Sequence, residues 1–257
     1  MEILFEDNDK IIINKEAGQL VQSGRGFDLD LVSEVMNYRR KKGEPAYAAV
    51  INRLDRPVSG VVLMAKNKES AAKYSRIMQK QGFCKEYFAV VHGKMEEKKA
   101  VLSDYITKTK DNTAEIADKS CAEAKFAELE YEVIQEITLK NGAGAELFVN
   151  AGLAENKISS KSGEDETLSF LKITLHTGRF HQIRVQLASR GHAIVGDTKY
   201  GMKYYSGKEL ERVADTGNKD VLNLKPHEIA LCAHSLNVDG KEYQVTPPWW
   251  DGCNSRI

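Results

Sequence analysis

Ile51-Asn52-Arg53-Leu54-Asp55-Arg56-Pro57-Val58-Ser59-Gly60 sets one carboxylate between two arginines and runs straight into the apolar Val61-Val62-Leu63-Met64-Ala65. The flanking runs, Tyr47 to Ile51 and Val61 to Ala65, read as strands, so the charged stretch is a short connection carried by a sheet. Connections on a rigid sheet are where chemistry concentrates. Neighbouring guanidinium groups favour the ionised form of a carboxylate, which makes Asp55 a persistent anion fit to act as a nucleophile. An aspartate beside Arg53 or Arg56 is equally an ordinary structural ion pair at a turn. Read alone, the stretch leaves both roles open.

Working outward, Ile3-Leu4-Phe5 and Ile11-Ile12-Ile13 read as two strands joined by a turn at Asp7-Asn8-Asp9. Asp28 to Lys42 reads as a helix capped by Asp28, with Leu31, Val32, Val35 and Met36 on one stripe and Gly43 at its end. Its last turn, Arg39-Arg40-Lys41-Lys42, suits either the negative helix terminus or contacts to phosphate. A second helix runs from Asn67 to Gln81, with Tyr74, Ile77 and Met78 inward and Lys73, Arg76 and Lys80 outward. Phe83 to Gly93 is β-prone. Beyond it, short strands fit Lys125 to Glu136 and Glu146 to Val149, with an exposed loop insertion near 141–168. Phe170 to His176 is a strand, and Thr177 to Ala188 follows it into a helix. Glu228 to Leu236 is a strand, Asp239-Gly240 makes a hairpin turn into Tyr243-Gln244-Val245, and Trp249 and Trp250 serve as packing cover.

The 257 residues are 42% hydrophobic and 29% charged, the make-up of an ordinary globular protein with a sizeable core. No signal peptide and no long apolar span is evident, which points to the cytoplasm. Cys84, Cys121, Cys232 and Cys253 are scattered and read as reduced thiols rather than a zinc site. His176, His181 and His192, five and eleven apart, are likewise a poor zinc template, so no metal is expected. Net charge is zero, yet its distribution is uneven: −5 over 1–36, +8 over 37–92, −6 over 93–170, +5 over 171–207 and −2 over 208–257. If the two basic segments meet, they present one positive face to a polyanion.

Three separated stretches, in order, resemble the RluA-type pseudouridine synthases. The Asp55 stretch is similar to the family's His-Arg-Leu-Asp-Arg-x-Thr-Ser-Gly, with Asn52 in the place of His and Val58 in that of Thr. Lys85, Tyr87, Ala89, Val91 and Gly93 match Lys-x-Tyr-x-Ala-x-Val-x-Gly, and Thr177-Gly178-Arg179-Phe180-His181-Gln182-Ile183-Arg184 matches Thr-Gly-Arg-x-His-Gln-Ile-Arg. Gln186 and Cys232 replace two further histidines. Asn14-Lys15-Glu16-Ala17-Gly18 resembles the opening of the family's catalytic domain, and its position close to Met1 leaves no room for an upstream RNA-binding domain.

The resemblance implies an α/β (α+β) fold, with a mixed, mostly antiparallel sheet, flanking helices and a central active-site cleft, in a single catalytic domain over 1–257. It implies a pseudouridine synthase acting on structured RNA, ribosomal or transfer, at a stem-loop uridine. It needs no cofactor, no membrane and no protein partner. Asp55 is then the catalytic aspartate, Tyr87 stacks on the extruded uracil, and Arg184 keeps Asp55 charged and aimed. Arg53, Arg56, Lys85, Arg179, His181 and Gln182 bind substrate. Asn52, Gln186 and Cys232 favour an alternative, a non-catalytic RNA-binding protein that keeps the fold; an aspartate-dependent hydrolase lacks the paired carboxylates.

Overall fold

Ile11, Ile12 and Ile13 are wholly buried, so the strand that carries them is covered on both faces. That strand, β2 (Lys10–Lys15), pairs antiparallel with β1 (Glu2–Glu6). Asp7 makes the turn between them, its Oδ1 accepting from the N–H groups of Asp9 and Lys10 at 2.8 Å each. The computed structural model describes residues 1–23, 30–80, 82–139, 165–204, 222–247 and 249–250. The chain divides into two compact units: Met1–Glu86 with Pro226–Glu228 and Cys232–Pro247, and Tyr87–Lys225 with Ile229–Leu231 and Pro248–Ile257.

In the first unit, α1 (Leu31–Lys41) turns Leu31 and Val35 to the core. Its cap is Asp30, two residues after the expected one: Asp30 Oδ1 accepts from Ser33 N at 2.7 Å, while Asp28 lies outside the described residues. The basic last turn is only partly exposed. Arg39 is buried, donating to the carbonyls of Tyr47 and Lys66 and to Glu44. Lys42 meets Glu6 and Glu44. β3 (Ala49–Val50) and β4 (Ser59–Ala65) follow, β4 antiparallel to both β2 and β3. α2 (Lys68–Gln79) starts where the sequence placed it, with Asn67 and Ser70 forming a reciprocal capping box. β10 (Leu231–Val238) runs parallel to β4 and antiparallel to β11 (Lys241–Gln244). The hairpin between them has Asp239 and Gly240 both at positive φ, as two-residue turns require. The order here is β1-β2-β4-β10, with β3 on β4 and β11 on β10. Ile12, Val61, Leu63, Tyr74, Phe83 and Leu236 join in its core.

Most of β5 (Lys85–His92) belongs to the second unit, where the order is β5-β9-β8-β6-β7. These are β9 (Glu166–Leu175), β8 (Lys125–Leu139), β6 (Lys99–Lys108) and β7 (Ala114–Ala117). β8 is antiparallel to both β9 and β6. α3 (Gln182–Ala188) and α4 (Thr198–Tyr204) complete the unit. Val185, Ala188 and Tyr200 pack on Ile106, Ala114 and Ala127. Trp250 stacks on Phe88 at 3.9 Å, which fits its reading as packing cover. β9 begins inside the stretch expected to be loop, at Glu166; the expected strand at Glu146 to Val149 and nearly all of the expected insertion lie outside the described residues. No helix among the described residues is long and apolar enough to cross a membrane.

Candidate active site

The Asp55 turn is built from its ends. Asn52 closes it by imitating a strand: its Oδ1 accepts from Leu63 N at 2.7 Å and its Nδ2 donates to Val61 O at 3.0 Å. The departure from the family's histidine therefore has a structural job. Leu54 and Val58 are buried anchors on either side of Asp55, and Val58 N donates to Asp55 O at 3.1 Å. Gly60 ends the turn at φ +122°, where an added Cβ would overlap the backbone of Ala233 on β10. Only glycine allows β4 and β10 so close at that conformation.

Beneath the turn lies Lys15, at the end of β2 and 0% exposed. Its Nζ donates to the carbonyls of Glu16 at 2.8 Å and Arg56 at 3.3 Å. Burial pulls its pKa down to about 8, against the opposing pull of Asp55, Cys232 and Glu228. Lys15 thus stays charged at pH 7 and sets a buried cation by Asp55. Sequence reasoning quoted it as part of a motif and gave it no role; a lysine closing an apolar strand was the available signal. Burial pushes the Cys232 thiol up to about 12, so it is a neutral filler.

Arg56 exchanges hydrogen bonds with Gly18, its Nε donating to Gly18 O at 3.0 Å and its carbonyl accepting from Gly18 N at 2.7 Å. It therefore staples two loops as well as carrying charge. Arg53 is exposed, and Lys85 is half-buried, its pKa lowered by that burial.

In the second unit Tyr87 is 9% exposed on β5. Arg184 on α3 is buried and forms a two-pronged pair with Asp197, Nε to Oδ2 at 2.6 Å and Nη2 to Oδ1 at 2.8 Å. Asp197 has no role in the reading of the sequence; here it locks the guanidinium plane. Gln182 is buried: its Oε1 accepts from Thr177 Oγ1 and Arg179 N, and its Nε2 donates to Glu128 O. Those bonds hold the turn into α3. His181 sits at φ +52° with Nδ1 2.7 Å from Tyr200 Oη. Burial, then the charges of Arg184 and Lys199, hold its pKa down to about 3. Arg179 is exposed, with Nε donating to Phe126 O at 2.7 Å. Gln186, in the place of a histidine, is fully buried and donates to Asp104 Oδ2 at 2.7 Å.

Over residues 9–189 the sequence matches the family described as RNA pseudouridylate synthase. It is 30% identical to ribosomal large subunit pseudouridine synthase C of Rickettsia conorii over 201 residues, 78% of this chain and 56% of that protein. It is 32% identical to tRNA pseudouridine synthase C of Haemophilus ducreyi over 212 residues, 82% of this chain and 79% of that one. The chain spans little more than half the length of some relatives, the Rickettsia protein among them. Its fold is similar to that of human RNA pseudouridylate synthase domain containing 4, with a TM-score of 0.67 at 20% identity over 98% of this chain and 91% of that one. The RluA-type motifs, their order and this match agree: the chain belongs to the RNA pseudouridylate synthase family.

Proposed function

We propose that this protein converts uridine in RNA to pseudouridine, and that Asp55 opens the reaction. The observation that carries the reading is Asp55 on a turn clamped at both ends with the buried Lys15 ammonium beneath it. A cation kept from water by the fold is little screened and attracts the negative charge of a carboxylate that acts as nucleophile or base. The uracil N1 to C1′ bond breaks, a C5 to C1′ bond forms, and the C5 proton leaves while N1 gains one. No electrons are exchanged, and the balance needs no cofactor. By the family resemblance, Tyr87 stacks on the uracil and Arg184 supplies the counter-charge. Arg53, Arg56, Lys85, Arg179 and His181 serve the RNA.

Relatives named for ribosomal and transfer RNA point to one of these as substrate. Extrusion of a base costs least from a loop, which favours a stem-loop uridine. Asn52 and Gln186 each have a structural function, and buried Cys232 fills space, so these departures no longer speak for a merely RNA-binding protein. The test is tritium release from transcripts labelled at uridine C5, ribosomal and transfer RNA side by side. Release by the isolated wild-type chain and none by Asp55→Asn is expected. Equal release by both proteins would end the assignment of Asp55, and tight RNA binding without release from any transcript would favour the non-catalytic alternative.

A further inference from the structure

Phe180 is 37% exposed, while the turn that carries it is closed by Thr177, Gln182 and the Arg179 main chain rather than by its ring. The ring stacks on His181 with centroids 3.8 Å apart and planes at 20°. His181 meets Tyr200 edge-on at 5.5 Å. Tyr200 is wholly buried and its Oη accepts from Ala114 N at 2.7 Å. An exposed aromatic face is thus backed by a column rooted in the second core. His181 stays neutral near pH 7, so the column carries no charge. Two exposed cations flank it. Lys108 Nζ, at the end of β6, is 4.9 Å from the Phe180 centroid, and Arg179 precedes Phe180 in the chain. Among the described residues neither pairs with a carboxylate.

We propose that Phe180 is a stacking platform for an unpaired base of the bound RNA, with Lys108 and Arg179 taking adjoining phosphates. The inference rests on the RNA reading above and adds a contact that no family motif supplies, since Phe180 occupies the open position of Thr-Gly-Arg-x-His-Gln-Ile-Arg. Magnitudes decide what the ring prefers. An exposed cation–π contact contributes about a 2- to 5-fold preference. A stacked base contributes about 5- to 150-fold. A base therefore displaces the lysine, whose ammonium is released to a phosphate next to that base. The pairing of an open π-face with cations that meet no carboxylate among the described residues matches the alternation of base and phosphate along a single strand. The ring is open to water, whereas a reacting base must be enclosed, so the platform takes a base other than the target uridine.

The test uses the full chain carrying Asp55→Asn, so that binding is read without turnover, and a single-stranded RNA of about twelve nucleotides containing 2-aminopurine, within the span such surfaces cover. Quenching of 2-aminopurine on binding is expected. Phe180→Leu keeps bulk over His181 but removes the aromatic face; it should relieve part of the quenching and weaken binding about 5- to 150-fold. Phe180→Trp should restore both. Lys108→Met should lower the slope of log affinity against log salt by about 0.7 and leave the quenching in place. If the parent binds and quenches while Phe180→Leu does the same, the platform is refuted and the RNA reading stands. If the parent binds no RNA at all, it is the RNA reading that fails.

Discussion

Lys15 and Gly60 show how much a single position near Asp55 decides. Lys15 carries a buried charge whose pKa is lowered by burial from its ordinary 10.5 to about 8. Below pH 8 folded and unfolded chains both hold the proton, and the native state bears the whole cost of burying it. Between pH 8 and 10.5 the folded state releases the proton first, so this group's contribution makes stability rise with pH. Lys15→Met removes the buried charge and leaves the Glu16 carbonyl without this donor, a loss of about 1 kcal/mol; the Arg56 carbonyl keeps Gly18 N. Replacing a buried ion by an apolar side chain of similar size is often neutral or stabilising. We therefore expect Lys15→Met to unfold in urea at pH 7 no more easily than wild type, while tritium release falls at least about tenfold, the size of effect expected when a charge beside a reacting group is lost. Unchanged release would remove Lys15 from the reaction. Gly60→Ala should cost more than about 3 kcal/mol, since a positive φ and a backbone overlap add. Gly18→Ala, also at positive φ but with nothing within 4 Å, should cost about 1 kcal/mol. Near-equal urea midpoints for the two variants would refute the close approach of β4 to Ala233. Asp55 stood out in the sequence because a carboxylate between two arginines is chemically unusual. Lys15 did not, because the letter does not say that it pairs with Gly60 on β4 and is wholly buried near Cys232 and Glu228.

At the scale of elements, boundaries followed local chemistry where that chemistry was unique. Asn67 and Ser70 made the start of α2 legible, and Asp239-Gly240 did the same for the β10–β11 hairpin. Two aspartates two residues apart, each able to cap, did not locate the start of α1. Asp30 takes the role, and its other oxygen accepts from Ser23 N and Oγ, a pairing across seven positions that no local signal announces. These donors hold its pKa down to about 2 against the opposing effect of burial, so its stabilisation is lost as pH falls from about 4 towards 2. Asp30→Ala should cost about 1–2 kcal/mol at pH 7, and this difference from wild type should shrink in acid, as urea titrations at pH 7 and pH 2.5 would reveal. β6 and α4 escaped sequence reading. Only Leu102 and Ile106 of β6 are buried, too sparse an alternation to announce a strand, and α4 is secured by Tyr200, whose partners are His181 and Ala114 from distant parts of the chain.

For the molecule as a whole, charge and pH behaviour depend on which groups the fold pairs. The basic run 39–42 looked available to phosphate, yet Arg39 is buried and Lys42 meets Glu6 and Glu44, so part of that segment's charge is already neutralised. His181, with its pKa lowered to about 3, costs stability in acid: the unfolded chain takes up a proton near pH 6.5 and the native chain does not. Stability should fall by about 1–2 kcal/mol between pH 6.5 and 5, and His181→Gln should flatten that slope in urea unfolding. A slope unaltered by His181→Gln would show that another group governs the acid limb.

The sequence by itself determined the family and the mixed, mostly antiparallel fold class, and it singled out Asp55 as the candidate carboxylate, because these are written in short stretches of contiguous residues whose spacing survives without coordinates. Only the tertiary structure decided that Lys15 is buried by Asp55, that Asp197 is a partner of Arg184, that Gln182 holds a turn, and that Phe180 is backed by His181 and Tyr200. Burial and pairing arise from strands and helices far apart in the chain, and they set the charge state and orientation on which the chemistry depends.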